Sequence, residues 1–151
     1  MPSIPPLRVL VVDDHVGIRL GIESLIDAEA PRMRSVGGAA NPLEALHEAK
    51  AQQPDVVVLD VDLDGEDGLA LIPLLHRAAP CAVVVLTSLI DPRVAERALR
   101  LGACGCVHKA SPASELLARV AAAHDQRCEA AALTPVIMGS AMSRSVGSNN
   151  P

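Results

Sequence analysis

The strongest constraint on the fold is a series of short, almost wholly aliphatic segments that alternate with helix-like segments. Residues 56–59 read Val-Val-Val-Leu and residues 82–86 read Ala-Val-Val-Val-Leu. Neither segment shows the polar alternation of a half-exposed strand. Continuous β-branched runs of this length are typical of parallel strands that are covered on both faces. The pattern therefore predicts an α/β fold with a doubly wound, five-stranded parallel sheet and five helices.

The predicted strands and helices alternate strictly along the chain. Strands are predicted over residues 7–12, 32–39, 55–59, 81–86 and 104–108. Helices are predicted around residues 18–26, 41–53, 69–79, 91–102 and 111–123. Asn41-Pro42 and Asp91-Pro92 each combine a side-chain N-cap with a proline in the first turn, and Gly102 suits a helix C-cap.

Composition excludes several classes of function. The 151 residues include no Phe, Tyr or Trp, so the core is aliphatic and neither a base-stacking platform nor an aromatic cage can form. The net charge of −5 argues against direct binding of nucleic acid. No apolar run approaches the roughly 18 residues of a membrane span, and the N-terminus does not resemble a signal peptide. We therefore expect a cytoplasmic protein without membrane contact.

Polar side chains collect where predicted strands end. Asp13 and Asp14 follow the first strand, Asp60 the third, Thr87 the fourth and Lys109 the fifth. In open α/β sheets the ligand crevice lies outside the carboxyl ends of the strands, so these side chains are expected to converge. Clustered carboxylates repel one another unless a cation joins them, and oxygen ligands suit Mg²⁺. An aspartate in such a site can accept a phosphoryl group, whose charge the lysine and the threonine would neutralise.

Four segments, taken in order, resemble the receiver domain of bacterial two-component response regulators. They are VLVVDDH at 9–15, VVVLDVDLDGEDG at 56–68, VVLTS at 84–88 and GACGCVHKASP at 102–112. The resemblance covers about residues 7–123 and implies a CheY-like fold with the flavodoxin-like strand order 2-1-3-4-5. The Asp-Asp-His start and the Lys-Ala-Ser-Pro stretch are most similar to NarL/FixJ-type receivers, which usually precede a helix-turn-helix DNA-binding domain.

The resemblance also implies a metal site built around the phosphoacceptor. Asp60 would accept the phosphoryl group. Asp14 would bind Mg²⁺ directly, Asp13 mainly through water, and Asp62 through its backbone carbonyl. The loop after the phosphoacceptor departs from the family pattern, because residues 63–65 read Leu-Asp-Gly where Met-Pro-Gly is usual.

The same resemblance implies how phosphorylation would be reported. Thr87 would be the switch hydroxyl and Lys109 the ammonium that contacts the phosphoryl group. The position three residues before this lysine usually holds an aromatic switch residue, and here it is Cys106. This departure puts the usual threonine–aromatic coupling in doubt.

Three units are expected along the chain: an N-terminal extension at 1–6, the receiver domain at 7–125, and a tail at 126–151. Within the tail, residues 133–142 are compatible with one short helix, followed by a disordered end. The residues after 125 are too few for a helix-turn-helix domain. The chain is therefore either a standalone receiver or a fragment of a longer DNA-binding regulator.

The function that these features favour is a signalling switch and not an enzyme. A sensor histidine kinase would transfer its phosphoryl group to Asp60 in a Mg²⁺-dependent step. The face formed by the fourth helix, the fifth strand and the fifth helix, around 94–101 and 116–120, would then engage a second copy or a target protein. Two alternatives remain. One is a non-phosphorylated pseudo-receiver that serves as an interaction module. The other is a small haloacid-dehalogenase-type phosphatase, because the segment VVVLDVDLD also resembles the first motif of those enzymes.

Overall fold

A computed structural model describes residues 4–88 and 91–127 of the chain. The strands in this part are β1 (Leu7–Val12), β2 (Met33–Ala39), β3 (Val56–Asp60), β4 (Asp62–Leu63), β5 (Glu66–Asp67), β6 (Ala82–Thr87) and β7 (Gly105–His108). The helices are α1 (Val16–Asp27), α2 (Pro42–Gln52), α3 (Ile72–Ala78), α4 (Pro92–Arg100) and α5 (residues 113–127). The predicted short helix at 133–142 and the end of the tail lie outside the described residues.

Five of the strands form one parallel sheet in the order β2-β1-β3-β6-β7. Counting only these five strands, the order is 2-1-3-4-5, and the predicted fold is confirmed. The central pairing is regular, since residues 56–60 of β3 pair one by one with residues 82–86 of β6.

Helices cover both faces of this sheet, which explains the uninterrupted aliphatic runs. On one face, Val57 and Leu59 pack in a cluster with residues of α2, α3 and α4. On the other face, Val56 and Val58 pack with residues of α1 and α5. Successive side chains of a strand point to opposite faces, so a strand covered on both faces is apolar at every position.

The segment between β3 and α3 is more structured than a plain loop after the phosphoacceptor candidate would be. It contains a two-stranded antiparallel hairpin, β4–β5, joined by Asp64 and Gly65. Both residues have positive φ, 54° and 84°, which is the geometry that makes Asp-Gly a preferred two-residue hairpin turn. A 3₁₀ turn over Gly68–Leu71 then leads into α3, which accommodates Pro73 in its first turn.

The two predicted N-caps are present. Asn41 Oδ1 accepts a hydrogen bond from Glu44 N at 2.9 Å, and Asp91 Oδ1 accepts one from Arg93 N at 2.9 Å. Among the described residues, no helix is both long enough and apolar enough to cross a membrane.

Candidate functional site

The predicted site residues lie together at the carboxyl edge of the sheet. Asp13 directly follows β1, Asp60 is the last residue of β3, Thr87 is the last residue of β6, and Lys109 directly follows β7. Because β1, β3, β6 and β7 are consecutive neighbours in the sheet, four chain segments far apart in sequence end side by side. Asp14 completes this group of predicted residues and is adjacent to Asp13.

Lys109 and Asp60 form the central contact of the site. Lys109 Nζ lies 2.8 Å from Asp60 Oδ2 and 3.4 Å from Asp13 Oδ2. The backbone N of Lys109 donates to the carbonyl of Thr87 at 2.8 Å, which holds the lysine beside the end of β6. The ammonium is therefore placed where it can neutralise negative charge on the aspartate, or on a group attached to it.

Burial and neighbouring charges act in opposite directions on the Asp60 carboxyl. Asp60 is 2% exposed, and this burial raises its pKa above the ordinary value. The hydrogen bond from Lys109 lowers the pKa, whereas the charge of Asp13 raises it again, and the net direction is upward. For Lys109, burial lowers the pKa but is outweighed by the hydrogen bond to Asp60 and by the charges of Asp60 and Asp13. The ammonium is consequently held in its charged form.

Two carboxylate oxygens in the site lack hydrogen bonds. Asp13 is fully buried; its Oδ1 accepts from His15 N at 2.9 Å, but its Oδ2 has only the ammonium of Lys109 at 3.4 Å nearby. Asp14 Oδ1 is also buried without a hydrogen bond, with His15 Nδ1 at 3.2 Å. Buried oxygens left without hydrogen bonds are energetically costly, and a bound cation would satisfy them. The donor set therefore fits a divalent metal ion.

The atoms available to such an ion are close together. One ligand atom from each of Asp13, Asp14, His15 and Asp60 lies within 4.8 Å of the others. Asp62 contributes to this edge through its backbone N, which donates to Asp60 Oδ1 at 3.2 Å. The metal-binding role of the Asp62 carbonyl stays a prediction.

The loop that follows Asp60 returns to within van der Waals distance of the phosphoacceptor candidate. Gly68 N donates to Val61 O at 2.6 Å. A Cβ at position 68 would lie 2.1 Å from the carbonyl oxygen of Asp60. Only glycine fits this approach, and the hairpin β4–β5 between the two residues closes the loop. Gly68 had no predicted role, although it ends one of the motif segments.

Cys106 lies on β7, apart from the carboxylates. It pairs with Val85 of β6, is half-buried, and packs against the aliphatic cluster on the α2–α4 face. Burial raises the pKa of its thiol, so the group is a neutral, small packing residue.

Two further residues contact the site that sequence patterns did not assign to it. The backbone N of Arg19 donates to His15 O at 2.9 Å, and its guanidinium donates to the carbonyl of Asp13, also at 2.9 Å. His15 occupies the N-cap position of α1, and its ring faces Asp13 and Asp14. Nothing in the sequence indicates where either side chain points.

Comparison with known families and curated proteins gives one consistent result. The family model of the response regulator receiver domain matches residues 9–121. A protein-glutamate methylesterase/protein-glutamine glutaminase of Caulobacter vibrioides is 37% identical over 121 residues, which is 77% of this chain and 35% of the relative. A Pseudomonas aeruginosa protein named as a transcriptional regulator is 39% identical over 73% of this chain and 53% of its own length. The chain thus spans about a third to a half of these relatives.

Solved structures show the same similarity at the level of the fold. The response regulator domain of Thermotoga maritima CheB is 31% identical with a TM-score of 0.73, covering 80% of this chain and 97% of that domain. The receiver domain of Mycobacterium tuberculosis NarL is 30% identical with a TM-score of 0.71, covering 82% and 98%. A Burkholderia pseudomallei response regulator, solved with a phosphorylated aspartic acid and a calcium ion, is 25% identical with a TM-score of 0.70, covering 95% and 85%.

Proposed function

This chain belongs to the response regulator receiver domain family, and on that premise we propose that Asp60 is its phosphoacceptor, served by a sensor histidine kinase in a Mg²⁺-dependent reaction. The observation that carries the proposal is the 2.8 Å contact between Lys109 Nζ and Asp60 Oδ2 at a buried acidic edge. It places a nucleophilic oxygen and a phosphate-neutralising cation side by side. The similarity to methylesterases is confined to about a third of their length, so their activity is not transferred to this chain.

The proposed step is a phosphoryl transfer between nitrogen and oxygen. A carboxylate oxygen of Asp60 attacks phosphorus, a P–O bond forms, the P–N bond to the donor's histidine breaks, and the released imidazole takes up a proton. Lys109 stabilises charge on the transferring phosphoryl oxygens, and Thr87 is proposed to bind one of them afterwards. Asp13, Asp14, Asp60 and the carbonyl of Asp62 would hold Mg²⁺. When bound, this ion supplies positive charge to the phosphoryl oxygens.

Incubation with Mg²⁺ and acetyl phosphate tests the proposal directly. Wild-type protein is expected to gain one phosphoryl group by intact mass, and Asp60→Asn to gain none. Asp64→Asn is the matched control, because Asp64 is an exposed acid in the hairpin turn and asparagine tolerates its positive φ. Phosphorylation that persists in Asp60→Asn would reject Asp60 as the acceptor. Failure of wild type with both acetyl phosphate and a cognate kinase would favour the pseudo-receiver alternative.

The proposed output is a changed protein-interaction surface. The hydrogen bond from Lys109 N to Thr87 O joins the two loops that would respond to a phosphoryl group on Asp60. Both loops border α4 and β7, and α5 follows β7, so we assign a homodimer or target protein to the α4–β7–α5 face. A role as the receiver part of a transcriptional regulator is supported by the relative of that name in Pseudomonas aeruginosa.

One observation favours the pseudo-receiver as a second candidate. Position 106 holds a cysteine and not an aromatic residue. This position therefore has no aromatic ring that could rotate between a buried and an exposed state in response to Thr87. A receiver that takes up the phosphoryl group but changes neither its partner affinity nor its oligomeric state would support this alternative. Membership of the receiver family leaves the dehalogenase-type phosphatase without support.

A further inference from the structure

We propose that His15 supplies a nitrogen ligand to the acidic pocket, and that the pocket binds a first-row transition cation such as Co²⁺ or Zn²⁺ through Asp13, Asp14, Asp60 and His15. The proposal rests on the proposed function only in that both use the same pocket. It adds a metal preference that carboxylates alone would not produce.

The geometry of the ring carries the first part of the argument. His15 Nδ1 lies 3.2 Å from Asp14 Oδ1 and 3.4 Å from Asp13 Oδ1. One ligand atom from each of these three residues and one oxygen of Asp60 lie within 4.8 Å of one another. A cation placed among them would contact all four groups after small adjustments of the side chains.

The unsatisfied oxygens are an independent observation that points to a cation. Asp13 is fully buried, and its Oδ2 makes no hydrogen bond. Asp14 Oδ1 is likewise buried without one. Lys109 Nζ lies 3.4 Å from Asp13 Oδ2, but its shorter contact, at 2.8 Å, is with Asp60 Oδ2. Asp14 Oδ1 is therefore the oxygen without a hydrogen bond that lies beside the His15 ring, at 3.2 Å from Nδ1.

The backbone of His15 is anchored, whereas its ring is not otherwise engaged. The N–H donates to Asp13 Oδ1 and the carbonyl accepts from Arg19 N. Although His15 is the N-cap residue of α1, its side chain makes no capping hydrogen bond. The side chain is 65% exposed, so packing does not hold it. The ring is thus free to coordinate without disturbing the helix.

The chemistry of the donor set determines which cations benefit. Mg²⁺ prefers an all-oxygen environment and keeps several waters, so it gains little from an imidazole. Imidazole is a good ligand for Co²⁺, Ni²⁺ and Zn²⁺, and at a given site affinity rises from Co²⁺ through Ni²⁺ to Cu²⁺ and falls again at Zn²⁺. His15 should therefore raise affinity for the transition ions selectively.

Calorimetric titration with Co²⁺ alone and with Mg²⁺ alone tests this selectivity. We expect His15→Ala to bind Co²⁺ at least tenfold more weakly than wild type, while its affinity for Mg²⁺ changes less than twofold. His47→Ala is the matched control, because His47 is exposed on α2 and outside this group of ligands. Asp13→Asn is expected to weaken both ions, which would place binding in the pocket.

A spectroscopic measurement identifies the ligand itself. Pulsed EPR of Mn²⁺-loaded wild type should show ¹⁴N coupling from a directly bound imidazole, and His15→Ala should lose it. Unchanged Co²⁺ affinity in His15→Ala, an equal loss of Mg²⁺ affinity, or no ¹⁴N coupling would overturn the inference. These readouts are independent of phosphorylation. Failure of Asp60 to accept a phosphoryl group would reject the proposed function and leave the metal preference standing.

Discussion

Asp60 illustrates how a residue can be placed at an energetic cost to the fold. Its carboxyl is almost completely buried and faces a second buried carboxyl at Asp13, and one ammonium, Lys109, lies beside both. The net effect of this environment is to raise the pKa of Asp60, with burial as the largest cause. A raised pKa in an acid means that ionisation is less favourable in the folded chain than in the unfolded chain. The ionised group therefore destabilises the metal-free fold.

A pH-dependent effect of Asp60→Asn follows from this sign. Between the ordinary pKa and the raised one, the folded chain binds more protons than the unfolded chain, so the Asp60 contribution makes wild type less stable as pH rises. Asp60→Asn should therefore be more stable than wild type at pH 7, by on the order of 1 kcal/mol, and the difference should vanish in acid. Urea denaturation across pH with a chelator present measures it. The opposite sign at pH 7, with Asp64→Asn unchanged, would contradict this account of the pocket.

The close approach of Gly68 to the backbone of Asp60 restricts which side chain position 68 can carry. Because a Cβ there would lie 2.1 Å from Asp60 O and 2.8 Å from Val61 O, Gly68→Ala must displace backbone and not a flexible side chain. We expect a loss of about 2 kcal/mol in the free energy of unfolding and slower phosphorylation, because the loop that carries Asp60 shifts.

Gly17→Ala is the matched control for that substitution. Gly17 lies on α1, and a Cβ there would meet nothing within 4 Å. Because Gly17 lies in the first turn, alanine should stabilise this helix by less than about 1 kcal/mol, the value for a helix interior. Urea denaturation of both variants separates a steric effect from a general effect of replacing glycine; equal behaviour of the two would refute the steric explanation.

At the scale of elements, one ion pair joins the phosphoacceptor loop to α4. Arg97 on α4 contacts Asp67 on β5 at 2.7 Å, and Asp67 also caps the 3₁₀ turn by accepting from Leu69 N at 3.0 Å. The hydrogen bond from Arg97 is the main reason that the pKa of Asp67 lies below its ordinary value. Asp67 follows the hairpin turn and precedes Gly68, so the pair connects the Asp60 loop with the proposed interaction face.

Arg97→Ala should loosen this connection with little change in global stability. Both side chains are about 45% exposed, so solvent screening limits the contribution of the pair to roughly 0.5 kcal/mol. Hydrogen–deuterium exchange of residues 61–68 should nevertheless become faster, because the hairpin loses its contact with α4.

Arg93→Ala provides the comparison for that experiment. Arg93 is on the same helix, but its partner Asp91 is only two residues away, so the pair links nothing distant. Exchange in residues 61–68 should be unchanged in this variant. Equal acceleration in both variants, or in neither, would remove the Arg97–Asp67 pair from the proposed route between the site and α4.

For the whole molecule, a divalent cation should act as a stabilising ligand. It binds only where β1 and β3 bring Asp13, Asp14 and Asp60 together, and the unfolded chain has no such site. Free Mg²⁺ at about 100 times its dissociation constant should add roughly 2.7 kcal/mol to the free energy of unfolding. Thermal denaturation must be followed by far-UV circular dichroism, because the chain has no Phe, Tyr or Trp. Equal stabilisation of Asp13→Asn would place the ion elsewhere.

The layered fold was predictable because its main determinants are local. Aliphatic runs such as residues 56–59 require cover on both faces, and caps such as Asn41 and Asp91 use contacts within three residues of the helix start. The convergence of Asp13, Asp60, Thr87 and Lys109 was also predictable, because the carboxyl ends of parallel strands meet at one edge whatever the packing details.

The sequence alone determined the αβ alternation, the aliphatic core and the candidate acidic edge. Other features depended on how segments distant in the chain pack together. Only the tertiary structure decided that the Asp60 loop folds as a hairpin, that Gly68 touches Asp60, that Arg97 pairs with Asp67, and that the His15 ring faces the carboxylates. Periodicity and capping specify which face a residue occupies. The distances and orientations between side chains are set by the packing of strands, loops and helices that have no local signal for one another.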